Sequence, residues 1–336
     1  MVLFVAILIC MSPVQMIYAA DTTAPERTEE SSGPAVGKTD SLAELPEEWA
    51  KFRNLYYYNR IPEKQKVLYR QMDRVCASYL LSDRNITEDG EQYNGDTYME
   101  IIKTGELTLE QIQETVDLFI NDNPQYFFVR NGYIYDISMK EYENLRDEKR
   151  EQNVGIGLLI YIRFADGTER QKAAEKLLKK ADAVIRNANK KKTADEKIRY
   201  VHDFLIRHTT YIQNKKDEEK ELTQSAFSAL CKKRSVCAGY SRAFSMLCNG
   251  LGYKTICLTG GENPGHMWNM TYIRKKWYNF DVTWDDLDVD GFICTDWFAR
   301  SDREFSRDSG KNHVPEEFLK KYVPKAVKDR KNEEKI

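Results

Sequence analysis

The stretch His266-Met267-Trp268-Asn269-Met270-Thr271-Tyr272-Ile273, Arg274-Lys275, Lys276-Trp277-Tyr278-Asn279-Phe280-Asp281-Val282-Thr283-Trp284 reads as a β-hairpin. Apolar and aromatic side chains alternate through Trp268, Met270 and Tyr272, break at the basic cluster, and resume at Trp277. Register decides what this hairpin does, because a slip of one residue sends a whole strand's side chains to the opposite face. A two-residue turn at Arg274-Lys275 pairs Ile273 with Lys276 and His266 with Thr283. Asp281 then lies diagonal to His266 on the same face, where one imidazole–carboxylate hydrogen bond can close the gap. A three-residue turn would point Asp281 to the other side.

Upstream of the hairpin, a strand from about Tyr253 to Thr259 enters Gly260-Gly261-Glu262-Asn263-Pro264-Gly265, which delivers His266 to the mouth of the hairpin. Before it, Cys237 opens a helix whose apolar positions are Tyr240, Ala243, Phe244, Leu247, Cys248 and Leu251, closed by Gly250 and Gly252. A cysteine in the first turn of a helix meets unpaired backbone N–H groups and the positive end of the helix dipole, both of which favour the thiolate. The plain alternative is a buried structural cysteine, which is how Cys248 reads. The histidine and the carboxylate downstream decide for chemistry: covalent acyl transfer needs a nucleophile, a base beside it, and a group that orients the base. The assignment is Cys237 as nucleophile, His266 as base and Asp281 as orienting acid. Small Ala238 and Gly239 are read as leaving room for an approach to the sulfur, and the Cys237 N–H as one oxyanion donor.

These segments carry a family resemblance. Cys237-Ala238-Gly239-Tyr240 with its apolar helix, His266-Met267-Trp268-Asn269, and Trp277-Tyr278-Asn279-Phe280-Asp281-Val282-Thr283-Trp284-Asp285 resemble the three motifs of bacterial transglutaminase-like domains. The resemblance covers about residues 170–325. It implies an α+β, papain-like fold, with the cysteine on a helix packed against an antiparallel sheet that bears the histidine and the aspartate. Arg274-Lys275 stands where a glycine is common in the turn, and Ser235-Val236 where a glycine often precedes the cysteine. Trp268, on the face of His266, and Tyr240 are the substrate-side candidates, although tryptophans in such strands are more often core. His202, His208 and His313 read as packing, surface or loop residues.

Elsewhere the chain divides into a signal peptide (1–20), a disordered spacer (21–44), an N-terminal α+β domain (45–166) and the catalytic domain (167–336). The first part rests on the apolar run Val2–Ile9, the breaker Ser12-Pro13 and Ala19-Ala20 before Asp21; an uncleaved membrane anchor is the alternative. The spacer is rich in Thr, Ser, Pro, Gly and Glu and poor in large apolar residues. In the N-terminal domain, helices are expected over about 45–83 and from Thr108 on. A hairpin is expected at Tyr126–Tyr135 turning on Asn131-Gly132, with a strand over Leu158–Phe164. Helices of about Thr168–Asn187 and Thr193–Thr209 follow, and Lys215–Glu221 reads as a solvated charge run.

The hydrophobic share of 41% is ordinary for a globular chain, and the net charge of −2 offers no field for nucleic acid or an anionic membrane. Without Cys10, six cysteines remain; most sit in apolar patterns, so buried thiols are expected over three disulfides. With four histidines and no C-x-x-C pair, neither metal nor another cofactor is implied. The leading function is that of a secreted or cell-surface thiol enzyme acting on peptide or amide bonds of an extracellular or cell-wall protein. Crosslinking, proteolysis and amide hydrolysis share the first half-reaction and stay open. Two rivals are a non-catalytic binding module with the same fold and a Cys231–Cys237 disulfide that would silence the thiol.

Overall fold

A computed structural model describes residues 2–7, 41–86, 97–138, 147, 149–212, 222–262, 265–287, 289 and 292–328. The chain forms two compact units that are not contiguous in sequence. One comprises 1–44, 61–119 and 131–170; the other comprises 45–60, 120–130 and 171–336. The contiguous division at 166/167 therefore differs from the observed one in the segments 45–60 and 120–130, besides a boundary that falls at 170/171. Both are tied into the second unit by polar contacts that a hydrophobic pattern does not encode. Tyr57 donates its hydroxyl to the Cys257 carbonyl at 2.7 Å, and Tyr56 donates to the Tyr322 carbonyl at 2.8 Å. The Asp122 carboxylate collects the backbone N–H groups of Tyr57 and Tyr58 at 3.0 and 2.9 Å.

The first unit is built on helix α2 (Glu63–Leu80), which follows a four-residue turn of helix, α1 (Glu47–Ala50), that belongs to the other unit. The single helix expected over 45–83 is thus two, separated by the turns of 51–62, and the second opens after Pro62, whose missing N–H a helix start does not need. Leu68, Met72, Cys76 and Leu80 are buried at the expected spacing. Thr108 caps α3 (Leu109–Asp122) by accepting the Gln111 N–H, while the Gln111 side chain accepts the Thr108 N–H. The unit's sheet runs β1 (Val2–Ile7), β4 (Val129–Ser138), β5 (Gly155–Ile160), β2 (Thr97–Tyr98), with β3 (Ile102–Lys103) also on β5.

Three expectations fail in this unit. Asn131-Gly132 is no turn: it lies inside β4, because Gly132 takes φ +116° without ending the strand. The strand at Leu158 starts earlier and stops at Ile160, where Ile162–Phe164 makes a 3₁₀ turn. The spacer read to 44 is ordered from Ser41, since the Ala43 N–H reaches the Asp73 carboxylate at 2.7 Å. Val2–Ile7, within the segment read as a signal peptide, is strand β1; residues 8–40 and the charge run 215–221 lie outside the described residues. No helix among the described residues is long and apolar enough to cross a membrane.

The second unit is an α+β assembly around a four-stranded antiparallel sheet in the order β11 (Phe298–Arg300), β10 (Lys276–Phe280), β9 (His266–Ile273), β8 (Thr255–Gly260). Helices α4 (Gly167–Ala188) and α5 (Ala194–His208) precede it, the latter opened by a capping box between Thr193 and Glu196. Short parallel strands β6 (Thr210–Tyr211) and β7 (Arg234–Ser235) then lead to α6 (Cys237–Gly250). Gly252, at φ +84°, ends α6 in a Schellman motif: its N–H bonds to the Asn249 carbonyl and that of Tyr253 to Cys248, both orphan acceptors of the last turn. Helix α6 packs on the sheet through polar contacts in its core, where Ser241 donates to the Met267 carbonyl at 2.9 Å and Asn269 donates to the Ser241 carbonyl at 3.0 Å. The helix-on-antiparallel-sheet arrangement expected of the resemblance is present.

Candidate active site

Four local decisions bring the site together. The hairpin turns on two residues, Arg274 and Lys275, at φ 51° and 65°, and Ile273 pairs with Lys276. Positive φ at both positions is the two-residue turn whose twist matches the strands, and here it is made without glycine. This is the register that puts Asp281 on the face of His266. The strand does not continue to Trp284 as expected. A bulge between Asn279 and Phe280, opposite Ala299 at φ 58°, ends β10, and Asp281 becomes the N-cap of a one-turn helix, α7 (Val282–Asp285). As that cap, Asp281 accepts the N–H groups of Thr283 and Trp284 on Oδ1 at 3.0 and 3.1 Å. Its other oxygen is left for the histidine.

Oδ2 of Asp281 lies 2.6 Å from Nε2 of His266. An ionised carboxylate only accepts, so Nε2 carries the proton and Nδ1 is the nitrogen available to the thiol. Cys237 lies near enough to the His266 ring to favour its protonated form. Burial opposes a charge on His266, but the charge and hydrogen bond of Asp281, together with Cys237, outweigh it and lift the pKa to about 10. Burial likewise opposes the Asp281 charge, and the two imidazoles beside it, His266 and His313, overcome that and hold the carboxyl well below its usual range. Cys237 is 7% exposed at the first position of α6. The structure thus joins His266 directly to Asp281 and sets Cys237 at the start of α6, where its thiol acts on the charge of His266.

Gly239 leaves no room for a ligand. A Cβ there would lie 2.1 Å from Ser235 Oγ and 2.5 Å from the Thr223 carbonyl, so the space is taken by the chain itself. Ser235, two residues before Cys237, donates its hydroxyl to the same Thr223 carbonyl at 2.8 Å.

The two substrate-side candidates are both buried. Tyr240 is fully covered, its hydroxyl 2.8 Å from the Thr209 carbonyl and 2.6 Å from the Asp286 carboxylate, so it clamps the site instead of facing substrate. Trp268 is 1% exposed and lies nearly parallel to the His266 ring at 6.3 Å, while Trp284 covers His266 at 5.6 Å. Tyr211, missed in the sequence, lies beside Tyr240 with 37% of its surface exposed, and burial, Cys237 and Asp281 each raise its phenol pKa.

His313 lies in a turn, as expected, but is buried there, with Nε2 2.8 Å from Asp281 Oδ2. His202 is also buried, its Nε2 3.0 Å from Asp285 and its Nδ1 2.9 Å from Asp203. Asp285 also accepts the Trp297 N–H, and the Trp297 carbonyl takes the Asp281 N–H, so this network braces the backbone of the triad's acid. His208 stacks on Phe204 and meets the Leu230 carbonyl.

The described cysteines, Cys231 and Cys237 among them, are free thiols, which removes the silencing disulfide. Burial pushes Cys231 and Cys257 up to about 11 and raises Cys76, Cys248 and Cys294 as well. Nε2 of His266, Oδ2 of Asp281 and Nε2 of His313 lie within 4.8 Å of one another and could hold a cation. Those atoms already share two N–H···O hydrogen bonds, so a cation would displace both protons and draw His266 from the thiol.

Comparison with known proteins agrees with the geometry. Residues 179–282 match the family model described as the transglutaminase-like superfamily. No curated protein matches the chain. Among solved structures, a candidate cysteine protease from Cytophaga hutchinsonii aligns at 23% identity and TM-score 0.26 over 31% of this chain and 37% of that one. A TGase aligns at 17% and 0.29 over 44% and 48%, and the periplasmic domain of TgpA from Pseudomonas aeruginosa at 12% and 0.27 over 41% and 58%. This chain thus spans about a third to three fifths of those structures' own lengths. Through the sequence match, residues 179–282 constitute a domain of the transglutaminase-like superfamily.

Proposed function

We propose that the chain is an exported thiol enzyme that forms a thioester on Cys237 from a peptide or amide carbonyl of an extracellular or cell-wall protein. The observation that carries this reading is the 2.6 Å contact between His266 and Asp281, which leaves Nδ1 of the imidazole for a thiol. Nδ1 of His266 takes the Cys237 thiol proton as the sulfur attacks the carbonyl carbon, and a C–S bond forms as the C=O electrons move to oxygen. The N–H of Cys237, for which no backbone acceptor occurs among the described residues, is aimed as a donor to that oxygen. When the tetrahedral species collapses, the C–N bond breaks and His266 gives its proton to the leaving amine or ammonia. Water or a second amine, deprotonated by His266, then attacks the thioester and restores the thiol. Asp281 holds the imidazole tautomer throughout. The export reading rests on Val2–Ala20.

The test is ammonia release from a glutamine peptide with and without an added primary amine, beside cleavage of a peptide mixture. Turnover that vanishes in Cys237→Ala supports the thioester; incorporation of the amine distinguishes transfer from hydrolysis. Full activity in Cys237→Ala would overturn it. N-terminal sequencing of the exported chain tests processing near Ala20.

A further inference from the structure

His313 has no part in the scheme above, yet it is placed with as much care as the triad. Its segment lies against the end of β8 only because Gly260 and Gly261 lack side chains: a Cβ on Gly260 would stand 2.0 Å from the Val314 carbonyl, and one on Gly261 2.7 Å from that of Asn312. The Gly261 N–H and a bridge between Gly260 and Pro315 fix the pairing. The ring then enters a box of aromatic side chains, with centroids 4.2 Å from Phe305, 4.7 Å from Trp284, 5.0 Å from Trp268 and 5.3 Å from Trp297.

Inside that box, the titratable groups that meet the ring are Asp281, at 2.8 Å, and His266, with ring centroids 5.2 Å apart. The cavity of about 290 Å³ that His313 also lines includes Asp302, Lys320 and Lys325. Asp302 is held by the Asn279 amide and the Ala326 N–H, and Lys320 by Glu317. Because Asp281 Oδ2 can only accept, Nε2 of His313 must carry a proton. Nδ1 of His313 is buried without a partner. A second proton there would be a buried N–H donor with no acceptor among apolar rings, and burial, with the neighbouring His266, lowers the basicity of this histidine against the pull of Asp281. His313 is therefore a neutral donor.

We propose that His313 is a positioning residue of the thiol centre, its Nε2–H sharing Asp281 Oδ2 with His266 so that the catalytic imidazole meets a carboxylate of fixed direction and tempered basicity. The proposal rests on reading Cys237, His266 and Asp281 as a triad. With Oδ1 held by two backbone amides and Oδ2 by two imidazoles, Asp281 cannot turn. Charge drawn by His313 is charge not spent on holding the His266 proton, which must leave when the amine departs.

The test follows the ring signals of isotopically labelled histidines by NMR against pH, in the full chain carrying Cys237→Ser, which removes the thiol's contribution and lowers the His266 midpoint. His313→Phe keeps the aromatic box and removes the donor; His313→Gln returns an N–H near Nε2. The expected result is a His266 midpoint about one pH unit higher in His313→Phe, a tenfold change, largely restored in His313→Gln. An unmoved or lowered midpoint in His313→Phe, or no restoration by glutamine, would overturn it. If His313→Phe does not fold, the parent decides: a His313 ring with its proton on Nδ1 overturns the proposal, and one held on Nε2 from pH 5 to 9 supports it. The underlying triad is judged separately, since it fails if Cys237→Ser leaves the His266 midpoint where it is in the native chain.

Discussion

Nε2 of His266 meets Oδ2 of Asp281 at 2.6 Å just where the second strand of the hairpin has ended and its next residue has become a helix cap. The carboxylate is therefore oriented by backbone amides on one oxygen and by imidazole on the other, and its roles as cap and as acid cannot be separated by mutation to alanine.

Asp281→Asn separates them in part, because asparagine still caps but carries no charge. His266 binds its proton more tightly in the folded state, with a pKa of about 10 against an ordinary 6.5. That stabilisation is complete below 6.5 and is lost as pH rises through about 10. The depressed Asp281 acts in the other direction: its contribution is present above the usual carboxylate range and is lost on acidification. Thermal melts should show the native chain losing stability between pH 6.5 and 10, and Asp281→Asn less stable at pH 6 with a flatter alkaline slope. Parallel slopes would refute the coupling.

Iodoacetamide at pH 7.5 should modify Cys237 before any other described cysteine. Burial holds Cys231 and Cys257 at about 11, which leaves almost no thiolate at that pH. Peptide mapping by mass spectrometry reads the order of labelling, and His266→Ala should slow Cys237 by tenfold or more while leaving the others unchanged.

Gly239→Ala should destabilise the chain by about 1–3 kcal/mol, the usual range for forcing atoms into a packed site. Its methyl group would fall on Ser235 Oγ and the Thr223 carbonyl, which set the entry to the nucleophile. Urea unfolding measures the loss, and an unchanged midpoint would mean that the backbone there yields freely.

A chain beginning at residue 167 should fail to give a cooperative melt. It would lack Asn54, Tyr57 and Asp122, whose bonds run to Thr255, to Cys257 and to the Tyr57 and Tyr58 amides. A sharp transition with native-like near-ultraviolet circular dichroism in that fragment would show these segments to be dispensable.

How much of this could be read in advance follows the range of the interactions. The hairpin register was legible because two residues of turn and a period of two leave one pairing, and Ile273 does pair with Lys276. Cys237 was legible because helix starts are local. The end of β10 at Phe280 was not, since the bulge depends on a third strand that carries Ala299. Tyr240 looked like a substrate contact beside the nucleophile, but Thr209 and Asp286, on remote segments, claim its hydroxyl. His313 lies 32 residues from Asp281 behind a polar stretch, and its only local sign was the glycine pair that makes space for its backbone.

The discontinuous second unit also sets an order of events during synthesis. Residues 45–60 leave the ribosome first and must wait for 255–257 before Asn54 and Tyr57 find their acceptors, while His313 emerges later still. Contacts so far apart in sequence close slowly and leave apolar surface uncovered in the interval. Cys237 is made well before the residues that complete its surroundings, so a chain still in synthesis carries this thiol without them.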